Sequence, residues 1–447
     1  MYKFRTLSLS LLFAAAVFSG CDDKDSPNNN DDNKIAVTGV LLNSSTATVE
    51  VGKTVTLVAA VQPDNADDKG VTWSSSDLSI AQVANGVVTG IVSGSAIISV
   101  TTNDGGKMAV CLVTVSTSGD VDGGDTTPSD VYVAGYERDA QGNNVAKYWI
   151  NSMATNLESS NSYFESVANS IFVSGNDVYV AGTKRWFSSE YRDAVYWKNG
   201  VMTELARGYL NANANSVFVS DNDVHVVGML VPYQQFTATY WKNGEQTYIA
   251  GGLTTANSVF VSGSDVHVAG YGYNGNVQSK IIAKYWKNSA MRNLTNGSNH
   301  ASANSVFVLG SDVYVAGYEE NVQGVRVAKY WKNDVETSLT NGNSNASASS
   351  VFVSGSDVYV AGYENNVQGR GVAKYWKNGV ETNLTNGNST AAASSMFILG
   401  NDVYVAGYEA NAQGIIVAKY WKNGEVHDLS NGNSHAYANS IFVVEKE

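Results

Sequence analysis

The sequence predicts an all-β chain, a small β-sandwich followed by a seven-bladed β-propeller, and three observations carry that prediction. A Tyr-Trp pair recurs with its Trp at 149, 197, 241, 286, 331, 376 and 421, in steps of 48, 44 and then four of 45 residues. Ahead of these repeats, residues 35–116 alternate apolar and polar residues in short runs cut by turn signals. The two ends of the repeat array are also complementary, because its first unit lacks a strand that its last residues supply.

At the N-terminus, Lys3 and Arg5 precede an apolar run from Leu7 to Phe18, followed by Ser19-Gly20 and Cys21. The run is too short to span a bilayer and reads as an export leader. Small residues before a cysteine resemble the lipobox of bacterial lipoproteins, with Phe18 where Leu, Val or Ile is usual. The resemblance implies that residues 1–20 are a lipoprotein signal peptide and that Cys21 is lipidated, making the membrane a partner through the anchor. The alternative is an ordinary secretory leader followed by a chance cysteine. Residues 21–34 are rich in Asn and Asp and hold too little apolar area to fold, so they read as a disordered tether. The acidic run Asp22-Asp23-Lys24-Asp25 resembles the surface-export signal of Bacteroidota lipoproteins, which implies a lipid-anchored place at the bacterial cell surface or outer membrane.

Residues 35–116 contain about seven short strand patterns, among them Thr48-Val49-Glu50-Val51, Val55-Thr56-Leu57-Val58 and Ile97-Ile98-Ser99-Val100. That density suggests a β-sandwich. The stretches Val51-Gly52-Lys53-Thr54-Val55-Thr56-Leu57, Val71-Thr72-Trp73-Ser74-Ser75-Ser76-Asp77 and Gly86-Val87-Val88-Thr89-Gly90 resemble, in order and spacing, the group 2 bacterial Ig-like domain (Big_2). The resemblance implies an Ig-like spacer or stalk and fixes no ligand. Trp73 reads as a core residue, and Cys111, on an apolar strand, as a buried small hydrophobe. Residues 117–129 are Gly-, Ser-, Thr- and Asp-rich and read as a linker.

From residue 130 to 447 the chain repeats one unit. Its best copy, Ser350 to Asn388, runs Ser-Val-Phe-Val, Ser-Gly-Ser, Asp-Val-Tyr-Val-Ala-Gly-Tyr, a polar loop, Val-Ala-Lys-Tyr-Trp, Lys-Asn-Gly and a fourth short strand. Asn378-Gly379 is a strong hairpin signal. Four antiparallel strands every 45 residues or so fit a propeller blade. The first Asp-Val-Tyr-Val strand, at Asp130, has no preceding partner, whereas Ser440-Ile441-Phe442-Val443 stands unpaired at the C-terminus. A ring closed by that strand, with seven blades, follows.

Composition narrows the chemistry. The formal net charge is −13, and it becomes −15 once the two cations Lys3 and Arg5 are removed, so a nucleic-acid partner is not expected. Two cysteines give neither a disulfide framework nor a Cys-based zinc site, the five His lack metal-ligand spacing, and no catalytic set or cofactor is indicated. The first and third turns of each blade share one face of the disc, and the second loops and blade connections share the other. The second face carries the variable polar loops and is the expected binding face. Its repeated Tyr-Glu-x-x-x-Gln-Gly, as at Tyr363/Glu364/Gln368, reads either as a packed Tyr with a Gln-Gly turn or as a multivalent site. Blades two and three break this pattern with Arg185, Trp186, Phe187 and Tyr191 on one loop and Tyr233 and Phe236 on the next. These six residues are the candidate ligand site, suited to stacking on sugar rings or docking a protein, with a local hydrophobic plug as the alternative. The functional expectation is a monomeric surface protein whose propeller binds a glycan or a surface protein. A glycan-degrading enzyme with an axial site, or a purely structural adhesin, are the other readings.

Overall fold

The alternating runs of residues 35–116 fold into strands because every second side chain can enter one core. A computed structural model of the protein describes residues 34–446 apart from 45, 93, 117–128, 158–163, 187–190, 210, 233–234 and 274–279. The expected signal peptide, Cys21, the tether up to residue 33, most of the linker, Phe187 and Tyr233 lie outside the described residues. The chain divides into two units, Met1–Gly123 and Gly124–Glu447.

In the first unit nine strands, rather than about seven, form sheets of four, three and two strands. The larger number arises where Gly52 turns the chain, so that Thr46–Glu50 pairs in parallel with Met108–Ser116 while Thr54–Thr56 joins Val87–Gly90 in another sheet. Val49, Leu57, Val88, Ile98, Cys111 and Val113 fill the core, with Trp73 packed against it. Burial pushes the Cys111 thiol up to about 11, as expected of an inert buried residue. Gly86, at φ +81, completes the Asn85-Gly86 turn, and a Cβ there would meet the Leu57 carbonyl oxygen at 2.4 Å.

In the second unit seven four-stranded antiparallel sheets form the blades. Blades two to seven are continuous in sequence; blade two comprises Phe164–Ser174, Asp177–Trp186, Arg192–Lys198 and Val201–Ala206. Blade one takes Ser129–Arg138, Asn144–Ile150 and Met153–Asn156, and its innermost strand is the C-terminal Ala436–Glu445. The first residue to pair is Ser129, one before the expected start.

Two closed circuits join the blades. Phe172, Phe218, Phe260, Phe307, Phe352, Phe397 and Phe442 touch in sequence around the axis at centroid distances of 4.7 to 5.1 Å, and Phe442 returns to Phe172 at 4.8 Å. Beside them, the serine two residues earlier on each inner strand accepts a hydrogen bond from a backbone N–H of the next blade at 3.2 Å. This circuit closes when Ile171 donates to Ser440. The seven repeat tryptophans are each at most 1% exposed and pack between blades.

The face bearing the first and third turns is knitted the same way in each blade. In blade six Asn378 donates to Asp357 at 2.8 Å and accepts from the Val358 N–H, while Lys377 pairs with Asp357 at 2.9 Å. Blade one has Ile150 in place of that lysine, and Lys446 of the C-terminal strand pairs with Asp130 instead, at 2.9 Å.

His225 and His267 stand where other blades have Tyr and bond the Tyr240 and Tyr285 hydroxyls through Nδ1 at 2.7 and 2.6 Å. Burial, then the neighbouring Lys242 and Lys287, hold both imidazoles below their ordinary range. The unfolded chain therefore binds more protons as pH falls through about 6.5, and stability contributed by neutral His225 and His267 is lost in acid. The melting temperature is expected to fall between pH 7 and pH 5, and to fall less when both are replaced by the Tyr of the other blades. Thermal melts at the two pH values check this, and an equal fall in parent and variant would contradict it.

Candidate functional site

The second face is organised by one repeat position, the residue after the second-strand glycine. Tyr136, Tyr271, Tyr318, Tyr363 and Tyr408 occupy it in blades one, four, five, six and seven, all half-buried. Tyr437 of the innermost strand of blade one stacks on Tyr136 at 4.9 Å and meets the edge of Tyr408 at 5.0 Å. Arg326 lies over the Tyr318 ring at 4.6 Å. Burial, reinforced by Tyr437, pushes the Tyr136 hydroxyl up to about 12, and burial also pushes Tyr318 and Tyr408 up. These hydroxyls are therefore neutral donors near pH 7. Together the rings form a crescent at the second-face end of the axis.

Four of these tyrosines, all but Tyr271, are followed by a glutamate that is engaged within its own blade. Lys329 bonds Glu319 at 2.7 Å and Glu336 at 2.9 Å, and Lys374 bonds Glu364 and Glu381 at 2.8 Å. Lys147 pairs with Glu137, and Lys419 with Glu409 and Asp428. Such a lysine sits diagonally across the second and third strands from its glutamate, on one sheet face. The loops beyond are turns: Asn321, Asn366 and Asn411 accept the backbone N–H of Gln323, Gln368 and Gln413 at 3.0 Å. The repeated motif is thus accounted for by packing, ion pairing and turn formation.

The crescent is broken in blades two and three, where Thr183 and Met229 replace tyrosine. At Thr183 the missing phenol leaves a cavity of about 270 Å3, lined by Asn144, Glu165, Ser166, Val167, Asn169, Thr183, Arg185, Arg192, Asn213 and Asn215. It extends from the second-face ends of the third strands, at Asn144 and Arg192, to the inner strands at Asn169 and Asn215. Thr183 donates to Asn213 Oδ1 at 2.9 Å, and Ser166 accepts from the Ala146 N–H at 2.9 Å. Asn169 and Asn215 donate to the Ala214 and Ala256 carbonyls of the following blades at 2.9 and 2.8 Å, which leaves their amide oxygens as acceptors for a ligand. Glu165 and Arg185 face each other across adjacent strands and pair at 3.0 Å, while Arg192 stands opposite Arg185 on the other side.

Of the candidate residues from the sequence, Arg185 lines this cavity. Trp186 is half-buried at the end of the same strand with the Lys184 ammonium 4.7 Å from its ring centre, and Tyr191 and Phe236 are exposed. These three aromatics are outside the cavity lining. The residues that sequence reasoning passed over are Thr183 and the inner-strand asparagines. The signal for Thr183 was a missing repeat tyrosine rather than an added aromatic. Among the described residues no three His, Cys, Asp or Glu side chains are grouped to hold a metal ion.

The cavity therefore belongs to an all-β protein, an Ig-like β-sandwich followed by a seven-bladed β-propeller. Residues 36–123 match the bacterial Ig-like domain (group 2) family, Big_2. Over 84 residues the chain is 48% identical to an Ig-like virion protein of Serratia phage KSP90, a match covering 18% of this chain and 33% of that protein. Over 82 residues it is 50% identical to an alpha-L-arabinofuranosidase of Bifidobacterium longum, covering 18% of this chain and 8% of that enzyme. The chain spans a third or less of the curated relatives it matches. Among solved structures it is similar to the β-propeller domain of the Trilobed protease from Pyrococcus furiosus, with TM-score 0.42 and 11% identity over 76% of this chain and 96% of that one. A quinonprotein alcohol dehydrogenase-like protein from Bacteroides thetaiotaomicron is similar at TM-score 0.39 and 11% identity, over 89% of this chain and 96% of that one.

Proposed function

We propose that this is a surface-displayed glycan-binding protein, in which the Ig-like domain is a spacer and the second face of the propeller carries the binding site. The observation that carries the reading is the polar cavity opened where Thr183 replaces the repeat tyrosine. Its volume of about 270 Å3 is near the lower end of small-molecule sites and has room for about one sugar ring. Its lining offers amide oxygens, amide N–H groups and guanidinium donors, the mixed partners that a polyol needs, beside a crescent of tyrosines that extends the surface. Among the described residues Glu165 is the single acid of the lining, and it is committed to Arg185, whereas glycoside hydrolysis ordinarily needs two carboxyl groups flanking the bond. Binding without turnover is therefore favoured over the enzymatic reading. A glycan array probed with the full chain tests this: retention of a defined set of glycans is expected, and no retention on any glycan would contradict it.

The surface location in this proposal rests on the Ig-like domain and on the lipobox-like sequence ending at Cys21. Cys21→Ser is expected to move the chain from the membrane pellet to the soluble fraction in a cell fractionation. A fully matured variant that stays in the pellet would overturn the anchor.

A further inference from the structure

We propose that the cavity takes a carboxylate-bearing sugar, a uronic or similar acidic residue of a polysaccharide, seated between Arg185 and Arg192. The inference rests on the glycan reading above and narrows it to one ligand class.

The chain carries a formal net charge of −13, yet six of its eight arginines, Arg138, Arg185, Arg192, Arg207, Arg326 and Arg370, stand at second-face strand ends and connections. The glutamates repeated on that face are neutralised by lysines of their own blades. The arginines of the chain are therefore concentrated at the binding face, on a molecule whose net charge otherwise repels anions.

Arg185 and Arg192 are directly opposite each other on adjacent strands, a like-charge pairing that costs stability unless an anion lies between them. The carboxylate of Glu165 bonds Arg185 alone, through Nη2 at 3.0 Å. Arg185 Nε is buried with no hydrogen-bond partner among the described residues, an unmet donor in the cavity wall. Arg192 has no acidic partner among the described residues and is exposed at the cavity edge. Its planar fork matches a carboxylate with two parallel N–H···O bonds, while the Asn169 and Asn215 amide oxygens remain for sugar hydroxyls.

The test is calorimetric titration of the full chain with oligogalacturonate and with the same oligomer methyl-esterified at its carboxyls. The acid form is expected to bind at least about tenfold more tightly, with a preference that shrinks as salt is raised. Arg192→Ala is expected to erase the preference and Arg192→Lys to restore only part of it, neither with a melting temperature below the parent's, because the side chain is exposed and its loss relieves the like-charge pairing with Arg185. Equal binding of acid and ester, or a preference that survives Arg192→Ala, would overturn the acidic-sugar inference while leaving glycan binding in place. If neither this pair nor sialyllactose and hyaluronan oligomers with their neutral counterparts bind, the acidic-sugar inference fails, and the glycan reading fails with it if the array also retains no glycan.

Discussion

Deletion of Ser440–Glu447 is expected to abolish the cooperative melting of the propeller. The deleted segment supplies Ile441 and Val443, 4% and 3% exposed, and half-buried Phe442, which closes the phenylalanine circuit. Burying an aliphatic or aromatic side chain is worth about 1.5–3 kcal/mol, so these three alone approach the net stability of a whole domain, about 5–15 kcal/mol. The deletion also removes the Ser440 acceptor of Ile171, the Ile441 donor to Ser395, and the pairing of residues 129–134 with 440–445. Blade one is then left with an open strand edge and the ring with a gap. Removing only Lys446 and Glu447 loses the ion pair to the buried Asp130, which keeps its hydrogen bond from Asn151, and should cost about 1–3 kcal/mol. Circular dichroism melts of the two truncations read the difference, and a sharp, parental transition in the longer truncation would mean that the ring does not depend on its C-terminal strand.

Gly362→Ala is expected to be among the most damaging single methyl additions in the propeller. Each blade carries a second-strand glycine opposite an inner-strand bulge, and a Cβ at Gly362 would lie 2.0 Å from the Ser347 carbonyl oxygen. The same contact, at 1.8 to 2.1 Å, recurs at Gly135, Gly182, Gly228, Gly270, Gly317 and Gly407. Because the obstacle is backbone held in a sheet, one strand must move, at a cost of about 3 kcal/mol or more. Gly369, at φ +77 with nothing within 4 Å of where a methyl would stand, is the contrast, and Gly369→Ala should cost about 1 kcal/mol for the left-handed backbone alone. Denaturant midpoints compare them; equal losses would remove the bulge as the reason for the repeated glycine.

Much of this fold was legible in the sequence because a repeat displays its own alignment. The 45-residue step, the hairpin signals and the unpaired strand at Ser440–Val443 were sufficient for blade number, face assignment and closure. The sandwich was less legible, since where a short strand changes sheets, as at Gly52, depends on packing rather than on alternation. At the proposed site, the aromatic loop of blade two points to the blade that carries the cavity and to Arg185. The cavity itself arises from an absence, Thr183 in place of tyrosine, which becomes visible only once the second-strand position is known to face the axis. The Tyr-Glu-Gln motif, by contrast, reads as capable of binding until Lys329 and Lys374 are found on its glutamates. A diagonal pairing across two strands depends on register, which spacing along the chain does not display.

The central claim, that ligand enters at the break in the tyrosine crescent, is tested most directly by Thr183→Tyr, which installs the residue of the other blades in the cavity. Binding of the full chain to the glycan it selects on the array would be measured by calorimetric titration, with a melt as the check on folding. The account predicts a loss of at least about tenfold in affinity at an unchanged melting temperature, because the phenol fills the space the sugar would take. Parental affinity in a folded Thr183→Tyr protein would contradict it and place the binding site elsewhere on the molecule.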